Sequence, residues 1–211
     1  MFKATLLAIV ITAAASCGGK KPPPPPPPAP VAEKPAPPPT PAPAPAPPPA
    51  PKHATATMVG TAKYKKVKGT VEFKEVDGGI EVTANVEGLK KGVHGFHIHE
   101  KGDCSAADAM SAGGHFNPSN HKHGAPDAEE HHEGDLGNIT AGKDGKATTT
   151  ITIKGVTLAE GDTSIAGKGF IIHAKPDDMK TQPTGNAGDR VACGTITVDD
   201  AAGAPAEGGK E

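Results

Sequence analysis

A chain of 211 residues with a formal net charge of −2 and a pI near 6.5 has no basic excess with which to grip a nucleic-acid backbone. With no tryptophan, one tyrosine and five phenylalanines, any core must be filled by valine, isoleucine, threonine and alanine. Most of the 24 prolines crowd into the first quarter of the chain, which excludes that quarter from the folded part.

Residues 1–16 read as an export signal. Lys3 is the positive start, Leu6 to Thr12 a short apolar run, and Ala13-Ala14-Ala15-Ser16 the small residues ahead of a cleavage point. That run falls short of the about 20 apolar residues needed to span a bilayer. Cys17 follows at once. Residues 18–52 form a Pro/Ala-rich linker without apolar periodicity. It is expected to extend as polyproline II and, at roughly 3.1 Å per residue, to reach on the order of 100 Å.

Residues 53–198 remain as one domain of a size usual for a single core. Short alternating runs at 55–62, 67–76, 79–87, 93–99, 147–153, 170–173 and 191–198 predict strands, with turn signals at Asp77-Gly78-Gly79 and Lys143-Asp144-Gly145-Lys146. No helical period appears, and no basic amphipathic helix offers itself to a membrane surface. The expectation is an all-β antiparallel sandwich or barrel whose long connections, 100–136 and 174–190, carry the chemistry. Residues 199–211, rich in alanine, glycine and acidic groups, read as a loose tail.

Chemistry centres on the stretch GVHGFHIHE at 92–100. On a strand, His97 and His99 point to one face, while Phe96 and Ile98 point to the other and into a core. Two imidazoles on one strand face make half of a transition-metal site, of a kind suited to copper or zinc. More histidines follow in GGHFNP (113–118), KHGAP (122–126), HHEGDLGN (131–138) and IIHAKPDD (171–178), and the chain then reads TGNAGDRVACG at 184–194.

In that order, these segments resemble the copper- and zinc-binding superoxide dismutases over roughly residues 54–198. The resemblance implies an eight-stranded Greek-key β-barrel or sandwich and two metals. Copper would be held by His97, His99, His115 and His173, and zinc by His115, His123, His132 and Asp135. Within the doublet His131-His132, the family's ligand lies three residues before the aspartate, which selects His132. His115, shared as an imidazolate, would double as proton donor to bound superoxide. Asp177, with Asp178 as the alternative, would accept hydrogen bonds from His97 and His123. Cys104 and Cys193 match the family's internal disulfide, which closes a long loop and agrees with export to an oxidising compartment. Arg190 matches the arginine at the channel mouth, a salt bridge to Asp189 being the plainer alternative. His53, His94, His121 and His131 match no ligand position, and His94 reads as structural.

One departure is the segment 177–190, shorter than in the animal enzymes and without their paired glutamates, so the strength of anion guidance is left open. Superoxide is the implied substrate, and a homodimer is left open. Cys17 resembles the lipidated first residue of bacterial lipoproteins, although Ala14 stands where that group more often has leucine; an ordinary cleaved signal is the alternative. The implied location is the periplasm or cell envelope, with membrane attachment through the anchor only. A rival reading is an exported metal-binding or copper-delivery protein without turnover.

Overall fold

The computed structural model describes residues 23–25 and 52–199. The export signal, Cys17, most of the linker and the tail beyond Asp199 lie outside the described residues. Nine strands follow in chain order: β1 His53–Gly60, β2 Lys68–Val76, β3 Gly79–Glu87, β4 Gly92–His99, β5 Asp135–Ala141, β6 Ala147–Ile153, β7 Gly169–His173, β8 Arg190–Thr195 and β9 Thr197–Val198. Among the described residues, the helical content is one 3-10 turn, Met110–Ala112.

Alternation builds the strands. In β2, Val71 and Phe73 are buried while Thr70, Glu72 and Lys74 face solvent, and β3 buries Ile80, Val82, Ala84 and Val86 in the same way. Antiparallel register sets Val71 opposite Ala84 and Phe73 opposite Val82, so apolar side chains meet on one face. The sheet order is β5-β4-β7-β8-β1-β2-β3-β6, with β9 paired to β1. Its two end strands, β5 and β6, are consecutive in the chain, and the sheet curls into a nearly closed barrel of Greek-key connection. Phenylalanines centre the core: the Phe170 ring lies 5.8 Å from Phe73 and 5.9 Å from Phe96.

The strands depart from the sequence pattern chiefly at β5 and at Ile196, and β1 runs over 53–60 instead of 55–62. Residues 135–141 form β5, where the sequence pattern marks no strand and places 135–136 in the long connection. Asp135, Leu136 and Gly137 are all buried, so no alternation marks the strand. The run 191–198 breaks at Ile196, whose N–H leaves the ladder to donate to the Lys168 carbonyl at 2.9 Å.

For the site, β4 matters most. It is paired on both edges, with β5 and β7, and every residue from His94 to His99 is buried. A strand held on both edges and both faces is a rigid mount.

Candidate metal centre

Phe96 and Ile98 enter the barrel core, and His97 and His99 leave β4 on the opposite face. Beside them, β7 ends at His173, paired with Arg190 of β8. The long connection after β4 is stitched back onto that strand. The Phe116 N–H donates to the Ile98 carbonyl (2.8 Å), the Gly134 N–H to the Phe116 carbonyl (2.8 Å), and the Ile98 N–H to the Gly134 carbonyl (3.0 Å). A Cβ on residue 134 would lie 2.3 Å from the Ile98 oxygen, so glycine permits this approach. These bonds carry His115 and His132 up to the strand histidines.

Two groups of ligand atoms result. His97, His99, His115 and His173 each offer one atom, all within 4.8 Å of one another, and so do His115, His123, His132 and Asp135. All seven residues are buried, and His115 belongs to both groups.

The surrounding hydrogen bonds fix which atoms are free. His97 donates through Nε2 to Asp177 Oδ2 (2.8 Å), His99 through Nδ1 to the Gly113 carbonyl (3.0 Å), and His173 through Nδ1 to the Gly188 carbonyl (3.3 Å). Each acceptor selects a tautomer and leaves a bare lone pair on the other nitrogen. Those nitrogens, His97 Nδ1, His99 Nε2 and His173 Nε2, are buried without a hydrogen-bond partner, as is His115 Nε2. An orphaned buried polar atom costs about 1–3 kcal/mol. Four of them converging make sense as a place for a metal that imidazole favours.

In the second group, Asp135 Oδ2 accepts the N–H groups of Gly124 (3.1 Å) and His132 (2.9 Å), which leaves Oδ1 to the histidines. Nδ1 of His115, His123 and His132 lies 2.7, 3.0 and 3.3 Å from that single oxygen. The edges of a zinc tetrahedron with about 2.0 Å bonds are ~3.3 Å, so three imidazoles and one carboxylate are spaced to close around zinc.

Electrostatics keep the four imidazoles of the first group uncharged near neutral pH and so ready for a cation. Burial, then the neighbouring imidazoles and Arg190, holds His99 and His173 well below the ordinary histidine pKa. Burial also lowers His97, and it lowers His115 to about 4 against the pull of Asp135. Burial opposes ionisation of Asp135 and Asp177 as well, but their histidine partners win and hold both carboxyls far below the usual range. His123, between the two carboxylates, is raised to about 9 although burial acts to lower it.

Asp177 joins the groups by accepting from His97 through Oδ2 and from His123 Nε2 through Oδ1 (2.9 Å). Asp178 instead faces solvent and caps a turn at Thr181. Asn138 holds Asp177 from behind: its amide donates to the Asp177 carbonyl (2.9 Å), and its oxygen accepts the Asp177 N–H (2.7 Å). That role escaped the sequence reading, although Asn138 closes the HHEGDLGN segment.

Arg190 lines a cleft of about 500 Å³ together with His173, Thr184, Asp108, Met110 and Lys63. Its guanidinium donates to the carbonyls of Ala109 (2.7 Å) and Gly113 (2.6 Å). The alternative partner, Asp189, is instead engaged by Lys63 (3.4 Å) and the Tyr64 hydroxyl (3.3 Å). Cys104 and Cys193 form the disulfide, with Cα atoms 5.7 Å apart. His53 and His121 are exposed and His131 half-buried, all outside both groups. His94 is buried, with its ring nitrogens on the carbonyls of His173 (2.7 Å) and Lys90 (2.8 Å).

A Greek-key barrel carrying two adjoining ligand groups with one shared imidazole defines a class, the metalloproteins of paired-metal type. The model of the copper/zinc superoxide dismutase (SODC) family matches residues 67–196, and the chain belongs to that family.

Proposed function

We propose that the chain is a working superoxide dismutase. It would hold copper at His97, His99, His115 and His173, and zinc at His115, His123, His132 and Asp135. The observation that carries this reading is His115, which offers Nε2 to one group and Nδ1 to the other. When bound, copper supplies the one-electron couple that takes an electron from one superoxide and returns it to a second. The protein supplies the proton and the anion's approach. A proton held at His115 Nε2 faces the three other imidazoles and can pass to the reduced oxygen as general acid catalysis. Asp135 steadies the far side of that ring. Arg190 adds a fixed positive charge and free N–H donors in the cleft, where a small anion has no shape to be recognised by. Two superoxides and two protons give dioxygen and hydrogen peroxide.

Metal analysis tests the ligand sets. His132→Ala should lose zinc and keep copper, and His131→Ala should keep both. Zinc retained in the first variant and lost in the second would overturn the assignment of the doublet.

We also propose that residues 1–16 export the chain and that Cys17 is lipidated, with the Pro/Ala linker as a spacer in the cell envelope. Cys17→Ser should move the protein from the detergent to the aqueous phase on partitioning. Equal aqueous partitioning of both forms would remove the anchor.

A further inference from the structure

The connection between β7 and β8 packs on the zinc-side group through Asp177, Gln182 and Gly185, and Gln182 is the residue that reaches the main chain of that group. The segment 177–185 is knit into a tight turn. The Asp178 N–H donates to the Gly185 carbonyl (2.9 Å), and the Gly185 N–H donates to the Thr181 carbonyl (2.7 Å). Asp178 Oδ1 accepts the N–H groups of Lys180 (3.0 Å) and Thr181 (2.8 Å). From this turn, Gln182 reaches a residue 59 positions earlier in the chain. Its Oε1 accepts the His123 N–H at 2.8 Å, and its Nε2 donates to the His123 carbonyl at 2.8 Å and to the Lys180 carbonyl at 3.2 Å. One side-chain amide thus satisfies both main-chain polar groups of a ligand residue, as a neighbouring strand would.

The turn also closes over the ring. Gly185 has φ +66, and a Cβ there would lie 1.7 Å from Asp177 Oδ1 and 2.6 Å from His123 Nε2. His123 therefore has its backbone held by Gln182 and its Nε2 held by Asp177, and only Nδ1 is left free, pointing into the second group.

We infer that Gln182 is a positioning residue for His123, fixing through that residue's backbone where Nδ1 meets zinc. The inference rests on the zinc site proposed above and gives the shortened 177–190 segment a task of its own. A loop residue without strand or helix support otherwise relies on the surrounding chain for its position. Groups that orient a ligand from outside commonly change metal affinity by about 10–100-fold when lost.

The test uses the full chain, loaded with zinc, and follows zinc release to a chromogenic chelator. Gln182→Ala and Gln182→Met should each release zinc about tenfold faster or more. Methionine keeps the length and packing of glutamine but none of its three hydrogen bonds. Thermal unfolding supplies the second readout: the variants should lose more stability zinc-loaded than metal-free. Wild-type release rates in both variants would overturn the inference, and so would wild-type release in the methionine variant alone. Equal loss of stability with and without zinc would mean that the latch only ties two loops together, which also overturns it. A wild-type protein that takes up no zinc contradicts the proposed site itself and is seen before any variant is made.

Discussion

Asp177 shows how much of the site depends on single buried carboxylates. Its two oxygens set the tautomers of His97 and His123, and Asn138 fixes its backbone, so one residue aims a ligand atom into each group. The same environment dictates how the metal-free protein responds to pH. Folding lowers the pKa of His97, His99, His115 and His173 from the ordinary 6.5, to about 4 for His115. Below pH 6.5, the unfolded chain therefore binds more protons at these positions than the folded one, and stability falls as the solution is acidified toward pH 4. His123 acts in the other direction. Raised to about 9, its contribution is complete below 6.5 and is lost as pH rises through 9. Asp135 and Asp177, lowered on folding, contribute above their unfolded pKa near 3.8 and withdraw only below it. Metal-free protein should thus melt highest close to pH 6.5 and lower at both pH 4.5 and pH 9, as thermal unfolding across a buffer series can check. A midpoint rising steadily from pH 6.5 to 4.5 would contradict this account of the imidazoles.

Among the elements, β8 and the connection after β4 are coupled by one covalent bond. Cys104 begins a stretch that runs through Ala109 and Gly113, whose carbonyls hold the Arg190 guanidinium, and Cys193 sits three residues beyond Arg190 on β8. The bond spans 89 positions, which on the chain-entropy model stabilises the fold by about 4–5 kcal/mol. Removing it should lower the melting midpoint and also release the arginine's two acceptors. Cys104→Ser/Cys193→Ser with full metal should therefore approach Arg190→Leu in rate, a loss of about tenfold, equivalent to ~1.4 kcal/mol of transition-state stabilisation. Stopped-flow decay of superoxide by the two metal-loaded variants compares them directly; full activity in the disulfide variant would separate the bond from the arginine. Strands differ in how plainly the sequence marks them. β2, β3 and β6 have one face in the core and one in water, so their alternation is visible. In β5, Asp135, Leu136 and Gly137 are buried in succession, with Gly137 packed beneath Pro126, and among its residues only Thr140 is exposed, so its alternation is weak. The strand pair His97 and His99 was legible from its alternation, and the rest of the two candidate groups only through the resemblance of their segments to a known family. Gln182 was not, because its partners are main-chain groups that no residue type announces.

At the scale of the molecule, a rigid barrel holds the candidate ligands His97, His99 and His173, while loops bring His115, His123 and His132 to them. His115 belongs to both groups, so two metals bound there would tie loops to barrel and should stabilise the protein as bound ligands do, by about 2.7 kcal/mol at a hundredfold excess over the dissociation constant. The near-neutral formal charge of −2 gives no broad attraction for an anion. Guidance of an anion would fall to local charge at the cleft, where Arg190 is fixed by carbonyls and Lys63 is paired with Asp189. The measurement closest to the central claim is superoxide decay in the presence of the full chain, assayed for metal beforehand. One copper and one zinc per chain should accompany a rapid second-order decay that disappears when copper is removed and returns when it is restored. A chain carrying both metals that leaves superoxide to decay at its spontaneous rate would contradict the account.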